Sequence, residues 1–351
     1  MDDCIRQYLM MFSAALIATV AAGQTNPPAT IDYAFAYLPA AGALMLHGGW
    51  GPPTWQPRNA AWALDQTGWH ALSPTGAPAM MHHAAAYDSR RSVLVLCGRT
   101  GYGAPAPYTN ETWEYSGALW QQTADLVSMY DGDVELAYDA RRGVTVAYVA
   151  DDTTSETWEY DATNWARIPT LIRPTANSDG ALMRYDALAQ QIVLLTTTNP
   201  LYVSDTYVSQ TWSYDGSNWE LRAQGLPTNT FGAGMACDEA RSNIVLLTTD
   251  SETWTWNGET WTLQSPLLAP PPRSFFAMAY DPQRSVSVIF SGEAGALYPT
   301  DTWEWNGETW AEFVPMPEPG AARMLLGALL TWATCHRALR SPLASDRVGP
   351  V

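Results

Sequence analysis

Pairs of tryptophans separated by seven residues recur six times along this 351-residue chain. Threonine precedes the first tryptophan in five of the six copies, and successive copies start 42–54 residues apart. A unit of this length repeated in tandem is typical of a propeller or a solenoid, in which each unit buries its apolar surface against its neighbours. The pairs are Trp62/Trp69, Trp113/Trp120, Trp158/Trp165, Trp212/Trp219, Trp254/Trp261 and Trp303/Trp310.

Each tryptophan pair is predicted to form a β-hairpin. In the second copy Trp113 and Tyr115 alternate with polar neighbours, which is the period of a half-buried strand. Turn sequences such as Asn257-Gly258 stand between the two tryptophans, and their glycine supplies the positive φ of a tight turn. A helix is rejected because β-branched threonine, aromatic residues and Asn-Gly are all unfavourable inside one.

Two further strands precede each hairpin, so that each unit has four strands, here called A to D. In the second copy strand A is Met81–Asp88 and strand B is Arg91–Gly98. Strand B is an almost continuous apolar run, as expected where both faces of a strand are covered. Four antiparallel strands per unit make up a propeller blade. We therefore predict an all-β propeller of six four-stranded blades over residues 24–314, with seven blades as the alternative.

The order of these landmarks resembles a known repeat. A strand A that ends in Tyr-Asp, a strand B that runs into Gly-Gly, and a Thr-Trp-x-Tyr-Asp-Gly hairpin followed by a second tryptophan resemble the kelch repeat and the kelch-like central domain of galactose oxidase. The resemblance covers about residues 28–314, although the double glycine is complete only at Gly48-Gly49. It implies a β-propeller that serves as a platform for binding other molecules.

The same resemblance raises a copper enzyme as an alternative function. An oxidase like galactose oxidase needs two tyrosines, two histidines and a cysteine cross-linked to a ligand tyrosine, and no motif in this chain carries those positions over. The four cysteines form no disulfide framework, and metal-ligand spacings such as Cys-x-x-Cys are absent from the sequence. Spacing singles out no catalytic constellation either, so we expect no catalytic residue, metal or cofactor.

The net charge of the chain is −17, and all eighteen basic residues are arginines. Such an acidic surface repels phosphate backbones, so nucleic acid is not an expected partner. The expected partner is a protein or a carbohydrate, which is what a kelch-like platform implies.

The first 23 residues are predicted to be an export signal. The apolar run Tyr8–Ala22 is too short to span a membrane comfortably, and small residues close it. A lone membrane anchor and a misassigned start are the alternatives. We expect a secreted or cell-surface protein, of a bacterium, with no stable membrane span after processing.

The tail, residues 315–351, has two interpretations. Arg323 stands where Arg273 stands in the sixth repeat, which suggests a decayed seventh repeat. Alternatively, Pro317-Glu318-Pro319 followed by an apolar stretch and arginines resembles the sorting tag of some exported bacterial proteins.

The B–C loops are the predicted binding surface. The distance from strand A to the next first tryptophan varies more than the other spacings, so the variation falls in these loops, which lie on one face of a propeller with the D–A loops. The longer ones are Trp50–Asn59, Gly98–Asn110, Thr196–Gln210 and Ser291–Asp301. Their aromatic rings offer flat contacts to a glycan or a protein, unless they only pack the loops. These rings are Trp50, Trp55, Tyr102, Tyr108, Tyr202, Tyr207 and Tyr298.

His82 and His83 are the most prominent titratable pair, and a structural role near the channel is expected for them. The sequence thus predicts an exported, non-catalytic propeller that binds through its B–C loop rim. A copper enzyme and a purely structural surface protein remain as alternatives.

Overall fold

The computed structural model describes residues 26–316 apart from 102–105, 131–132, 152, 177–179, 199–207 and 227–229. The predicted six-bladed all-β propeller is confirmed, and in every blade the strands are hydrogen-bonded in sequence order. The proposed export signal and almost all of the tail lie outside the described residues.

Each blade is one antiparallel sheet built from consecutive strands. Blade 1 is β1 (Ala34–Leu38), β2 (Ala43–His47), β3 (Ala61–Asp65) and β4 (Gly68–Leu72). Blade 2 is β5 (Met81–Asp88), β6 (Val93–Arg99), β7 (Tyr108–Tyr115) and β8 (Trp120–Gln122), with an added β9 (Leu126–Ser128). Blade 3 is β10 (Val134–Asp139), β11 (Val144–Ala150), β12 (Ser155–Tyr160) and β13 (Trp165–Ile168). Blade 4 is β14 (Ala181–Asp186), β15 (Gln191–Thr198), β16 (Val208–Tyr214) and β17 (Trp219–Gln224). Blade 5 is β18 (Gly234–Asp238), β19 (Asn243–Leu247), β20 (Thr253–Trp256) and β21 (Trp261–Leu263). Blade 6 is β22 (Met278–Asp281), β23 (Val286–Phe290), β24 (Thr302–Trp305) and β25 (Trp310–Glu312).

The blades form a closed ring, because the A strand of each blade contacts that of the next and β22 contacts β1. Closure protects the strand edges that an open sheet would expose. The apolar core is divided among the six junctions between blades, and each buried cluster combines side chains from two neighbouring blades. The cluster between blades 6 and 1, for example, joins Phe290 to Leu44 and Trp69.

The repeated Thr-Trp sequence forms a hydrogen bond between blades. The second tryptophan of a blade donates its indole N–H to the threonine that precedes the first tryptophan of the blade before it. Five junctions share this bond at 2.8–2.9 Å: Trp69–Thr302, Trp165–Thr112, Trp219–Thr157, Trp261–Thr211 and Trp310–Thr253.

The sixth junction explains the one copy that lacks the threonine. Ala61 occupies that position, and Trp120 Nε1 has no hydrogen-bond partner among the described residues. The buried His47 ring packs against the Trp120 ring instead, with 4.8 Å between ring centroids. The Thr-Trp repeat therefore reflects a hydrogen bond between neighbouring blades, and the copy without threonine leaves the Trp120 N–H unsatisfied within the described part of the chain.

We expect Thr157→Val to lower the free energy of unfolding by about 1–3 kcal/mol, because it leaves the buried Trp219 N–H without an acceptor. Urea titration measures this change. In a Trp219→Phe background the same Thr157→Val change should be almost neutral, since the donor is already gone. An undiminished cost in that background would show that the hydrogen bond is not the cause.

The turn between strands A and B contains a second recurring feature, an ion pair between aspartate and arginine. An aspartate at the end of strand A accepts backbone N–H groups of the turn and pairs with an arginine three residues later; Asp88, Asp139 and Asp281 accept two such N–H groups and Asp238 accepts one. Four blades have the pair: Asp88–Arg91, Asp139–Arg142, Asp238–Arg241 and Asp281–Arg284. In blade 4 Asp186 keeps the backbone bonds, but Ala189 stands in place of the arginine.

Two features differ from the sequence prediction. β9 adds a fifth strand to blade 2 by pairing with the start of β7. The loop predicted as Gly98–Asn110 is shorter than expected, because β7 begins at Tyr108, where it pairs with β9. The loop predicted as Thr196–Gln210 is shorter because β15 and β16 pair as far as Thr198 and Val208.

Contacts along the chain group Thr25–Asp65 and Trp69–Phe313 in one compact unit, which holds the ring. The described residues of a second unit are 66–68 and 314–316, and Met316 N donates to Gln66 O at 2.9 Å. Within the described residues there is no helix with the length and apolar character needed to cross a membrane.

Candidate functional site: the channel mouth

The A strands line a central channel, and an irregular backbone marks its mouth on the B–C loop side. In four blades the residue near the start of strand A has a positive φ: Asp32 (50°), His82 (49°), Gly232 (69°) and Phe275 (57°). All four residues line a cavity of about 140 Å³ in the channel. A left-handed conformation at a non-glycine residue costs about 1–2 kcal/mol, so packing around the mouth must hold it.

An imidazole between two carboxylates lies at this mouth. His82 Nδ1 is 3.3 Å from Asp133 Oδ2 and 3.9 Å from Asp32 Oδ2. The Trp50 indole N–H donates to Asp32 Oδ2 at 2.6 Å. Burial raises the pKa of Asp32 to about 6; His82 and the Trp50 N–H oppose this shift, and the nearby carboxylates of Asp133 and Glu293 add to it.

Three of the predicted rim aromatics come together beside this polar group, and we call Trp50, Trp55 and Tyr298 the aromatic cluster. Trp50 and Trp55 meet edge to face at 5.3 Å and 75°, and Trp55 meets Tyr298 in the same way at 5.3 Å and 77°. Trp55 leaves 39% of its surface exposed. The cluster spans blades 1 and 6, so the B–C loops of two neighbouring blades build one surface.

The backbone fixes the aromatic cluster in place. Ile31 and Trp50 exchange two backbone hydrogen bonds of 3.0 and 3.1 Å, which ties Trp50 to the residue before Asp32. Glu293 and Ser274 exchange another two, each 2.8 Å, and these anchor the loop that carries Tyr298 next to Phe275. Such double bridges hold side chains in one arrangement before a ligand arrives.

The other predicted rim aromatics do not extend this cluster within the described residues. Tyr108 was expected in a loop but begins β7, because Ser128 of β9 pairs with it. The Arg99 guanidinium lies over its ring at 5.5 Å. Tyr102, Tyr202 and Tyr207 lie outside the described residues, and their predicted role stays a prediction.

Deeper in the channel Arg184 and Glu135 join four blades, and this contact was not predicted from the sequence. Arg184 donates to the carbonyl oxygens of Met183, Met235 and Met278, which belong to blades 4, 5 and 6. Glu135 of blade 3 lies 3.7 Å from Arg184 and accepts the Met183 N–H at 3.2 Å. Burial raises the pKa of Glu135 to about 7, although Arg184 opposes this shift, and burial lowers the pKa of Arg184. The one sequence signal was a charged residue in an otherwise apolar strand A.

The raised pKa of Glu135 predicts a pH dependence of stability. In the unfolded chain a glutamate ionises at 4.5, whereas in the folded protein Glu135 stays protonated up to about 7. Between these values the folded state binds more protons, so the free energy of unfolding falls as pH rises. Wild type should lose about 2 kcal/mol relative to Glu135→Gln between about pH 5 and about pH 8. Urea titrations of both proteins test this, with exposed Glu312→Gln as control; parallel pH profiles for wild type and Glu135→Gln would contradict it.

The predicted structural role of His83 agrees with its surroundings. His47 Nδ1 and His83 Nε2 are 3.3 Å apart, and both rings are buried. Burial lowers the pKa of His47 to about 3 and that of His83 well below its usual range, so both are neutral at physiological pH. The glycines beside them provide the space, since a Cβ on Gly48 or Gly98 would lie 2.7 or 2.3 Å from His83.

No protein-family model and no curated protein sequence matches this chain. Solved structures of other proteins match its fold. The structure of YjhT matches 82% of this chain and 98% of its own, with a TM-score of 0.57 and 12% identity. The SapL1 lectin in complex with alpha methyl fucoside matches 83% of this chain and 98% of its own, with a TM-score of 0.56 and 13% identity. At these identities the likeness establishes the class, a β-propeller.

Among the described residues, no group of three or more histidine, cysteine, aspartate or glutamate side chains is arranged to hold a metal ion. Cys97 and Cys237 are free thiols, and burial raises the pKa of each to about 12. What the mouth offers is an exposed aromatic surface beside hydrogen-bonding carboxylates.

Proposed function

We propose that this protein is an exported, non-catalytic propeller of the kelch type that binds a carbohydrate at the mouth of its channel. The observation that carries the proposal is the aromatic cluster, in which B–C loop rings from two blades meet beside Asp32. The export signal and the kelch character rest on the sequence alone.

The chemistry of the mouth suits a sugar. The rings of Trp55 and Tyr298 present flat apolar surface to the C–H groups of a pyranose, and amphipathic aromatic side chains of this kind supply much of the energy of binding sites. Asp32 and Asp133 can accept hydrogen bonds from hydroxyls, and charge-assisted bonds are the stronger ones. A rigid, backbone-anchored cluster loses little entropy when the ligand binds.

One comparison supports a carbohydrate ligand. The SapL1 lectin, whose structure matches 83% of this chain, was solved in complex with alpha methyl fucoside. A protein ligand remains the second candidate from the sequence, and a purely structural role is a third outcome.

A panel of glycans and polysaccharides tests the proposal. Wild type should bind one class saturably, and Trp55→Ala should weaken that binding at least about 30-fold, as for a central aromatic contact worth about 2 kcal/mol. Trp55→Phe keeps a ring and should retain most of the affinity. Leu119→Ala removes an exposed apolar side chain from a C–D turn on the other face and should bind like wild type.

If the wild type binds no glycan of the panel, the carbohydrate proposal is overturned and a protein partner is favoured. Equal binding by folded Trp55→Ala would remove the aromatic cluster from the site.

A further inference from the structure

The aromatic cluster is flanked by carboxylates at both of its ends. At the Trp50 end, Asp32 Oδ2 accepts the indole N–H at 2.6 Å. At the other end, the Glu293 carboxylate lies near the Tyr298 hydroxyl, and burial together with this carboxylate raises the pKa of Tyr298. The two acids belong to blades 6 and 1, as the rings do, so the surface is aromatic in its middle and acidic at its edges.

These carboxylates are close enough to influence one another. Glu293 and Asp133 both oppose the ionisation of Asp32, which means that their fields overlap at the mouth. The arginines near the cluster are engaged elsewhere, whereas the His82 imidazole lies between Asp133 and Asp32. The Arg58 guanidinium donates to the carbonyl oxygens of Ala29 and Pro52 at 2.7 Å, and Arg273 forms a two-bond pair with Asp301 at 2.6 and 2.9 Å. The chain has no lysine to offset the acids.

The rings themselves favour a positive charge. The face of an aromatic ring carries negative potential, and several rings at steep angles make a surface that attracts a cation. The two contacts in the cluster lie at 75° and 77°, so Trp50, Trp55 and Tyr298 present faces in different directions. With carboxylates beside them, these faces combine two independent sources of attraction for a cation.

We infer that the channel mouth selects a protonated amine, and that the ligand is an oligosaccharide of amino sugars with free amino groups. This inference rests on the proposed carbohydrate function and deepens it. The sugar rings pack on Trp55 and Tyr298, and the ammonium group lies against the rings within reach of Asp32 and Glu293. An N-acetylated sugar of the same backbone has the same apolar faces but no charge.

The test compares a short glucosamine oligosaccharide with its fully N-acetylated form by calorimetry, using the whole chain at physiological ionic strength, where long-range attraction to an acidic protein is screened. The free-amine form should bind at least about 10-fold more tightly. Glu293→Gln should weaken its binding about 10-fold and change binding of the acetylated form less than about twofold. Asp32→Asn should also weaken the free-amine form about 10-fold and the acetylated form by a smaller factor, because the amide oxygen still accepts hydrogen bonds from hydroxyls. Glu259→Gln removes an exposed charge from a C–D turn on the opposite face and should change neither.

Three results would overturn the inference. Equal or tighter binding of the acetylated form would show that the amine is not recognised, while the carbohydrate proposal would stand. An equal loss in Glu259→Gln and Glu293→Gln would show that a polycation is attracted only by the overall charge. If neither oligosaccharide binds but a neutral glycan from the panel does, and Trp55→Ala abolishes it, the amino-sugar assignment fails alone.

Discussion

Trp219→Ala is expected to lower the free energy of unfolding by about 3–5 kcal/mol, the range for a large aromatic removed from a core. Trp219 is 1% exposed and packs on Tyr214 of its own blade and Tyr148 of the preceding one. Its indole N–H also supplies the hydrogen bond to Thr157. The substitution therefore opens a cavity at a junction between blades and leaves a buried hydroxyl without its donor.

Urea titration followed by far-UV circular dichroism measures this loss. The first tryptophan of a hairpin provides the comparison, because Trp113 is only partly buried and Trp113→Ala should cost less than Trp219→Ala. A loss below about 1 kcal/mol for Trp219→Ala would contradict the assignment of the second tryptophans as the main contacts between blades.

Asp139→Ala is expected to cost about 2–4 kcal/mol, because three donors lose one buried acceptor. Asp139 is 2% exposed and accepts the backbone N–H groups of Arg141 and Arg142 at 3.0 Å and the Arg142 Nε–H at 2.6 Å. Arg142 in turn pairs with Glu159, which accepts the Tyr214 hydroxyl of the next blade at 2.9 Å. Loss of the Asp139 carboxylate therefore destabilises both the A–B turn of blade 3 and the junction with blade 4.

Asp186→Ala in blade 4 is the matched control for Asp139→Ala. Asp186 accepts the same two kinds of backbone bond, at 2.9 Å each, but Ala189 replaces the arginine. Its loss should cost about 1 kcal/mol, the net value of ordinary hydrogen bonds. Equal costs for the two variants would show that the arginine network contributes nothing. Both values come from urea titration under the same conditions.

The sequence predicted the blades because their determinants are local. The alternation around Trp113, the Asn-Gly turns and the apolar B strands each act within about ten residues, and they recur. The bond from Trp219 to Thr157 joins residues 62 apart in sequence, and no local pattern points to it. The only sign of this bond in the sequence is that Ala61, and not threonine, precedes Trp62. That exception can be interpreted only from the structure, where Ala61 and Trp120 belong to the same core cluster.

The candidate site was predicted in part, for the same reason. Trp50, Trp55 and Tyr298 could be selected as aromatics in long loops, because loop length is visible in the sequence. Asp32 could not, because the residue at its position changes from blade to blade and no repeat marks it; the six residues are Asp32, His82, Asp133, Gly180, Gly232 and Phe275. A functional residue that departs from the repeat pattern cannot be predicted from that pattern.

A crystal structure of the protein with its tightest-binding oligosaccharide would show whether the ligand binds at the channel mouth. We expect a sugar ring packed on Trp55 and Tyr298, with polar atoms hydrogen-bonded to Asp32 or Glu293. A sugar bound on the outer strands, or between blades away from the B–C loops, with the aromatic cluster unoccupied, would contradict this expectation.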